Sequence, residues 1–211
     1  MDETQKFLEQ IEAERSQSQI TQDENQATDG DDVIVINQVD ESSVVMGLKG
    51  NDEITGSDGN DLIAGNQGDD SLLGLEGNDW LRGGKGNDKL IGGMGDDYLI
   101  GDHGTDILEG GAGADSFILR SNTAIEKIEE ADMIDDFNVG DNDRIIVIAE
   151  FTSSEDLIYE LIEIRTYTGT DTVIRLLDNS FILGVVKDTP EENVKNNILL
   201  VNPDDYALRL G

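Results

Sequence analysis

Aspartates recur every nine residues through the middle of this 211-residue chain: Asp52, Asp61, Asp70, Asp79, Asp88, Asp97, Asp106 and Asp115. Asp32 precedes them out of interval. A regular row of carboxylates is a row of hard oxygen donors, and the chemistry it suits is the binding of hard divalent cations. Softer metals are poorly served, because the chain has no cysteine and a single histidine, His103. Neither H-E-x-x-H nor G-x-S-x-G occurs, so neither a zinc-protease centre nor a standard hydrolase triad can be assembled. Calcium is the cation this inventory selects, since it takes about six to eight oxygens at ~2.3–2.6 Å and tolerates irregular geometry.

The elements that position these aspartates run from Gly47 to Ile118 as eight unbroken nine-residue units: GLKGNDEIT, GSDGNDLIA, GNQGDDSLL, GLEGNDWLR, GGKGNDKLI, GGMGDDYLI, GDHGTDILE and GGAGADSFI. Each has glycine at positions 1 and 4, aspartate at position 6 and a large apolar residue at position 8. The pattern predicts a turn over positions 1 to 6, with both glycines supplying positive φ, and a short strand over positions 7 to 9. Alternate strand residues face opposite sides, so position 8 forms an inward ladder: Ile54, Ile63, Leu72, Leu81, Leu90, Leu99, Leu108 and Phe117. If two units close one coil, residues 18 apart in sequence stack at the strand spacing of ~4.8 Å. The aspartates then form two columns, Asp52–Asp70–Asp88–Asp106 and Asp61–Asp79–Asp97–Asp115. Unit charges ~5 Å apart repel by roughly 3 kcal/mol at an effective dielectric of about 20. The metal-free roll is therefore expected not to fold.

The units resemble the G-G-x-G-x-D-x-U-x nonapeptide of the RTX (repeats-in-toxin, hemolysin-type calcium-binding) family, a repeat known to form a calcium-binding parallel β-helix. The resemblance implies an all-β chain: a parallel β-roll, a right-handed calcium-binding solenoid, with a β-rich C-terminal cap and a short N-terminal helix, and no protease domain. It also implies that each ion lies between turns 18 residues apart, held by both position-6 aspartates, by carbonyls of positions 2 and 4 of one turn, and by carbonyls of positions 1 and 3 of the next. The Asp52–Asp70 site would then use the carbonyls of Leu48, Gly50, Gly65 and Gln67. Carried along the array, the position-4 carbonyls are those of Gly50, Gly59, Gly68, Gly77, Gly86 and Gly95. The position-1 carbonyls are those of Gly65, Gly74, Gly83, Gly92, Gly101 and Gly110. This makes about six Ca²⁺ sites, with Asp32 an irregular additional ligand at the start. Residues 29–118 hold 20 acidic and four basic side chains, an excess that six divalent ions would largely neutralise.

Composition agrees. A net charge of −33 and a pI near 4.1 disfavour nucleic acid and anionic membranes and favour cations. Residues 1–20 lack the basic and apolar regions of a secretory signal, and no apolar run reaches the ~18 residues of a membrane helix. The expected location is extracellular or at the cell surface of a bacterium, by a route without an N-terminal signal peptide, though the cytoplasm is also compatible.

Three regions are expected: an arm over residues 1–28, the roll over 29–118, and a capping, secretion-related region over 119–211. In the arm, Phe7, Leu8 and Ile11 predict a short helix from Glu3 to Arg15. Gly30–Val35 reproduces positions 4 to 9 of the repeat, and Ile36–Met46 breaks register by two, which predicts a bulging loop at Gln38–Ser43. Met133–Ile145 is similar to the segment after the repeats in serralysin-type C-terminal domains, but Asp143 stands one residue too far from Gly140 to be assigned a calcium role. A short helix near Glu155–Tyr159, a hairpin of Leu161–Tyr167 and Thr172–Leu177, a strand Phe181–Val186, a helix or turn from Thr189 and a strand Ile198–Val201 follow. The terminal NPDDYALRLG partly resembles the uncleaved secretion signal of such proteins.

Positions 7 and 9 on one coil face carry Leu62, Trp80, Tyr98, Ile100 and Ile118, predicted as an exposed apolar stripe. It would be covered either by the C-terminal segment or by a protein or surface partner. The sequence thus points to a non-enzymatic calcium-binding protein whose folding is coupled to the ion, with a calcium-dependent binding module as the alternative.

Overall fold

A computed structural model describes residues 27–36, 42–120, 127–148, 159–165, 170–176 and 182–201. The expected helices at Glu3–Arg15 and Glu155–Ile158, most of the bulge at Gln38–Ser43 and the terminal NPDDYALRLG lie outside these residues. Tyr159, expected in the second helix, opens a strand instead.

Successive strands alternate between two stacked sheets. In chain order the strands of the array are β1 (Val33–Val35), β2 (Val44–Lys49), β3 (Glu53–Thr55), β4 (Leu62–Gln67), β5 (Ser71–Glu76), β6 (Trp80–Lys85), β7 (Lys89–Met94), β8 (Tyr98–His103), β9 (Ile107–Ala112) and β10 (Ser116–Arg120). They continue as β11 (Met133–Ile134), β12 (Arg144–Ile148), β13 (Tyr159–Arg165), β14 (Thr170–Leu176), β15 (Ile182–Val186) and β16 (Ile198–Val201). One sheet runs β1-β3-β5-β7-β9-β11-β15-β14-β13 and the other β16-β12-β10-β8-β6-β4-β2. Within the array all pairs are parallel, and all but β1–β3 keep an 18-residue step, as in Leu62↔Trp80 and Trp80↔Tyr98. The repeats therefore close one coil per two units, and the chain is a β-solenoid of about four turns. Between the sheets lies the position-8 ladder, every member of it at 1% exposure or less.

Two local expectations are corrected. Regular strands span six residues, positions 7 to 3 of the next unit, because parallel pairing carries on past position 9. Positive φ falls at positions 2 and 4, not 1 and 4: Leu48 and Gly50, or Gly84 and Gly86, make the reversal between sheets.

At the start, β1 pairs with β3 at a 20-residue step, whereas β2 pairs with β4 at 18. Ser43–Met46 thus sits in register as positions 6 to 9, and Ser43 belongs to the roll, not to a bulge. At the other end the stack runs past the repeats. Met133 pairs with Ile107 and Arg144 with Ser116, at steps of 26 and 28 residues. β15 and β16 add parallel to β11 and β12, and the antiparallel β13–β14 hairpin ends the first sheet. A short helix, α1 (Glu191–Asn196), starts at Pro190, where helical φ is pre-set and no N–H is needed, and buries Val194 in the same core.

Candidate metal centre

Each position-6 aspartate is placed by the strand that follows it and held by one oxygen. Its Oδ1 accepts the backbone N–H of the residue one coil earlier, which is Ser43 for Asp61 (2.7 Å) and an aspartate for the others: Asp52 donates to Asp70 (2.8 Å), Asp61 to Asp79 (2.7 Å), Asp79 to Asp97 (2.7 Å) and Asp97 to Asp115 (2.9 Å). The other oxygen, Oδ2, is buried without a hydrogen-bond partner at Asp52, Asp70, Asp79, Asp88, Asp97, Asp106 and Asp115. Seven orphaned acceptors in regular array are not a structural accident, since buried polar atoms are almost always satisfied. They mark where a cation fits.

The position-1 glycines make the room. A Cβ at Gly74 would lie 2.1 Å from Asp79 Oδ2 and 2.5 Å from the carbonyl oxygen of Gly92 one coil on. At Gly47 it would lie 2.2 Å from Asp52 Oδ2 and 2.9 Å from the Gly65 carbonyl, and at Gly92 it would meet Asp97 Oδ2 and the Gly110 carbonyl. An orphaned carboxylate oxygen and a position-1 carbonyl of the next coil thus face one small space. The position-4 carbonyls of Gly50, Gly59, Gly68, Gly77, Gly86 and Gly95 each point at the position-4 glycine one coil on. Position-3 carbonyls such as Gln67 accept the Gly50 N–H at 2.9 Å, with a lone pair left over. No group of three or more carboxylates or imidazoles converges among the described residues, so a six- to eight-oxygen shell has to be completed by backbone carbonyls.

Electrostatics agree. Burial, above all, raises the carboxyl pKa throughout the columns: to about 8 at Asp79, about 7 at Asp88 and Asp115, and about 6 at Asp97 and Asp106. Asp52, Asp61 and Asp70 are raised for the same reason. Neighbouring column members, such as Asp97 and Asp61 around Asp79, add to it. A cation between them would remove both penalties.

The first aspartate of each column differs. Asp32 and Asp61 close matching segments, Thr28-Asp29-Gly30-Asp31-Asp32 and Ser57-Asp58-Gly59-Asn60-Asp61. The Thr28 and Ser57 N–H groups donate to Oδ2 at 2.6 Å in both, and both hydroxyls donate to the same carboxylates. These two carboxylates are satisfied from within the protein.

Sequence reasoning missed Asp132 and the ladder at position 5, and set Asp143 aside on its spacing from Gly140. Asp132 stands below Asp106, whose N–H it accepts at 3.1 Å, and Asp143 stands below Asp115 at 3.0 Å. Their signal was local: Asp132-Met133-Ile134 and Asp143-Arg144-Ile145 repeat positions 6 to 8, although the 18-residue step is lost. Position 5 carries a second ladder running the other way, in which Asn51 accepts from Asp69 N–H, Asp69 from Asn87, and Asn78 from Asp96, at 2.7–2.9 Å. Asn or Asp at position 5 of six of the eight units was the available signal.

The apolar stripe is not left open to solvent: Trp80, Ile100 and Ile118 are buried, and Leu62 and Tyr98 are half-buried. Trp80 is 5% exposed, Ile100 0% and Ile118 3%, and Ile146 and Ile148 of β12 extend the cluster. Trp80 stacks on Tyr98 with centroids 5.3 Å apart, and Arg144 donates to the Tyr98 hydroxyl at 2.9 Å. His103 is exposed.

Two asymmetric columns, a cradle of glycines and a row of unpartnered carboxylate oxygens describe one kind of site. The RTX calcium-binding nonapeptide repeat family matches in four overlapping copies, over residues 41–72, 64–99, 73–108 and 83–117. This stretch is an array of RTX calcium-binding repeats. The RTX array accounts for calcium as its cation, and the buried aspartate stacks fit that ion. Among solved structures, the chain is similar to the AlgE6R3 subunit of the Azotobacter vinelandii mannuronan C5-epimerase, with 17% identity and a TM-score of 0.35 over 92% of this chain and 90% of that one. It is also similar to the extracellular lipase LipA of Serratia marcescens, with 14% identity and a TM-score of 0.34 over 83% of this chain. The match spans 39% of the lipase's length. No curated protein matches the chain.

Proposed function

We propose that this protein binds calcium between successive coils of the RTX array and that the ion completes its folding, with no catalysis of its own. The observation that carries this reading is the row of buried, unpartnered Oδ2 atoms, each facing a glycine-made space. Position-6 aspartates serve as carboxylate ligands there, joined by carbonyls of positions 1 to 4, with about six ions inside the array. The division into arm (1–28), roll (29–118) and C-terminal region (119–211) belongs to the same proposal. Unfolded at low calcium and folded at high calcium, such a chain suits a bacterial secreted or surface-associated protein, because metal binding supplies folding free energy directly. No helix among the described residues is long and apolar enough to cross a membrane. A module presenting Leu62–Trp80–Tyr98 to a partner is the less supported reading, because Trp80 is buried.

The sole tryptophan makes the test simple. Adding calcium to chelated protein is expected to shift Trp80 emission to the blue, together with a gain of β signal in far-ultraviolet circular dichroism. If neither signal responds to millimolar calcium, the reading is wrong.

A further inference from the structure

The two aspartate columns do not stop where the repeats stop. Asp106 and Asp115 are the last repeat aspartates of their columns, and each has its Oδ2 buried and unpartnered like those in mid-array. Both side chains are fully buried. In mid-array such an oxygen faces the following coil across the position-1 glycine, as Asp79 Oδ2 does toward the Gly92 carbonyl. The orphaned oxygen lies against the position-1 glycine here too: a Cβ at Gly101 would lie 2.2 Å from Asp106 Oδ2, and one at Gly110 would lie 2.4 Å from Asp115 Oδ2. The following coil at these two places is not a repeat. It is the chain that leads into β11 and β12.

That coil nevertheless supplies an aspartate at each place. Asp132 and Asp143 put Oδ1 on the Asp106 and Asp115 N–H groups, the bond that joins Asp70 to Asp52. Both are nearly buried, at 7% and 2% exposure. The strands that follow keep the register, with Met133 on Ile107 and Arg144 on Ser116. The second column ends there, since Asp143 Oδ2 accepts the Asn138 N–H at 2.8 Å and needs no further ion.

We infer that calcium also binds at two junction sites outside the repeats, between Asp106 and Asp132 and between Asp115 and Asp143. This rests on the reading of the array as calcium-binding. The ions tie the RTX array to the C-terminal strands, so that β11 and β12 are docked by metal as well as by backbone pairing. By the same criterion the space between Asp61 and Asp79, where Ser57 already holds Asp61 Oδ2, is the weakest of the six array sites, and Asp32 Oδ2 is likewise held by Thr28.

The test is the number of calcium ions held by the full chain in native mass spectrometry, for wild type, Asp132→Asn, Asp143→Asn and the double variant. Asparagine keeps an oxygen for the Asp106 or Asp115 N–H, so the coil can still form. Each single variant is expected to carry one ion fewer than wild type, and the double variant two fewer. Variants as fully loaded as wild type overturn the junction sites and leave the array reading intact, whereas a wild type that holds no ion overturns both. Should a variant not fold in calcium, wild-type crystals grown with calcium decide by anomalous scattering. Peaks at both junctions support the inference, and peaks confined to residues 47–118 overturn it.

Discussion

Strands β4, β5, β7 and β9 of the RTX array bury alternate residues and are joined by turns of glycine and acid. β12 and β15 bury Ile145 to Ile148 and Ile182 to Val186 in unbroken runs, one on each sheet of the same stack. The first pattern is a half-buried strand whose remaining stability has to come from its turns, and those turns hold buried, unpaired carboxyls. The second is the near-continuous apolar run of a strand covered on both faces. One solenoid is therefore held in two ways. On the proposed reading a cation satisfies the turns of the array, whereas the continuation is held chiefly by ordinary apolar burial. The comparison also explains why the repeat period can lapse after Ile118 without ending the stack: the pairing tolerates longer excursions once side-chain packing fixes the register.

Mutations can sharpen this contrast. Ile145→Ala in β12 is expected to cost about 2–5 kcal/mol, the range for a buried large-to-small change. Measured by thermal unfolding, the loss should be similar at moderate and saturating calcium, and a loss that calcium cancels would mean that the continuation also depends chiefly on the ion. Gly74→Ala comes next, at about 1–3 kcal/mol from overpacking, because its Cβ would lie 2.1 Å from Asp79 Oδ2. Unlike Ile145→Ala it should also lower calcium affinity. Gly140→Ala in the exposed turn before β12 is the mildest change, costing about 0.5–1 kcal/mol, since its Cβ would press only on the Asn138 side chain, whose Oδ1 lies 3.1 Å away and can shift.

The smallest effect expected is on pH. Carboxyls raised from 3.8 to about 6 at Asp97, about 7 at Asp88 and about 8 at Asp79 bind more protons folded than unfolded. Their contribution to the metal-free fold is fully present below the unfolded value and is lost as pH rises through the folded values. Chelated protein should thus show more β signal near pH 5 than near pH 8, while calcium binding weakens in acid because protons compete for the ligands. Equal or greater β signal at pH 8 would show that the columns are not protonated in the metal-free chain.

The repeat, the sheet alternation, the inward ladder and the aspartate columns were all legible in the sequence, because a nine-residue period with fixed glycine, aspartate and apolar positions admits one way of stacking. Even there the glycine roles were only half readable. Positive φ at position 2 and the steric need at position 1 both depend on what the neighbouring coil places against the backbone. Asp132 escaped, and Asp143 was set aside, because both join the columns by space rather than by interval, after excursions of unequal length. Whether Trp80 faces solvent was likewise beyond a pattern of alternation, which assigns a face but not what lies over it. Periodicity is a property of the chain, and so the sequence alone determined the roll and its ion. Which oxygens are left without a partner is a property of coils in contact, and only the tertiary structure decided it.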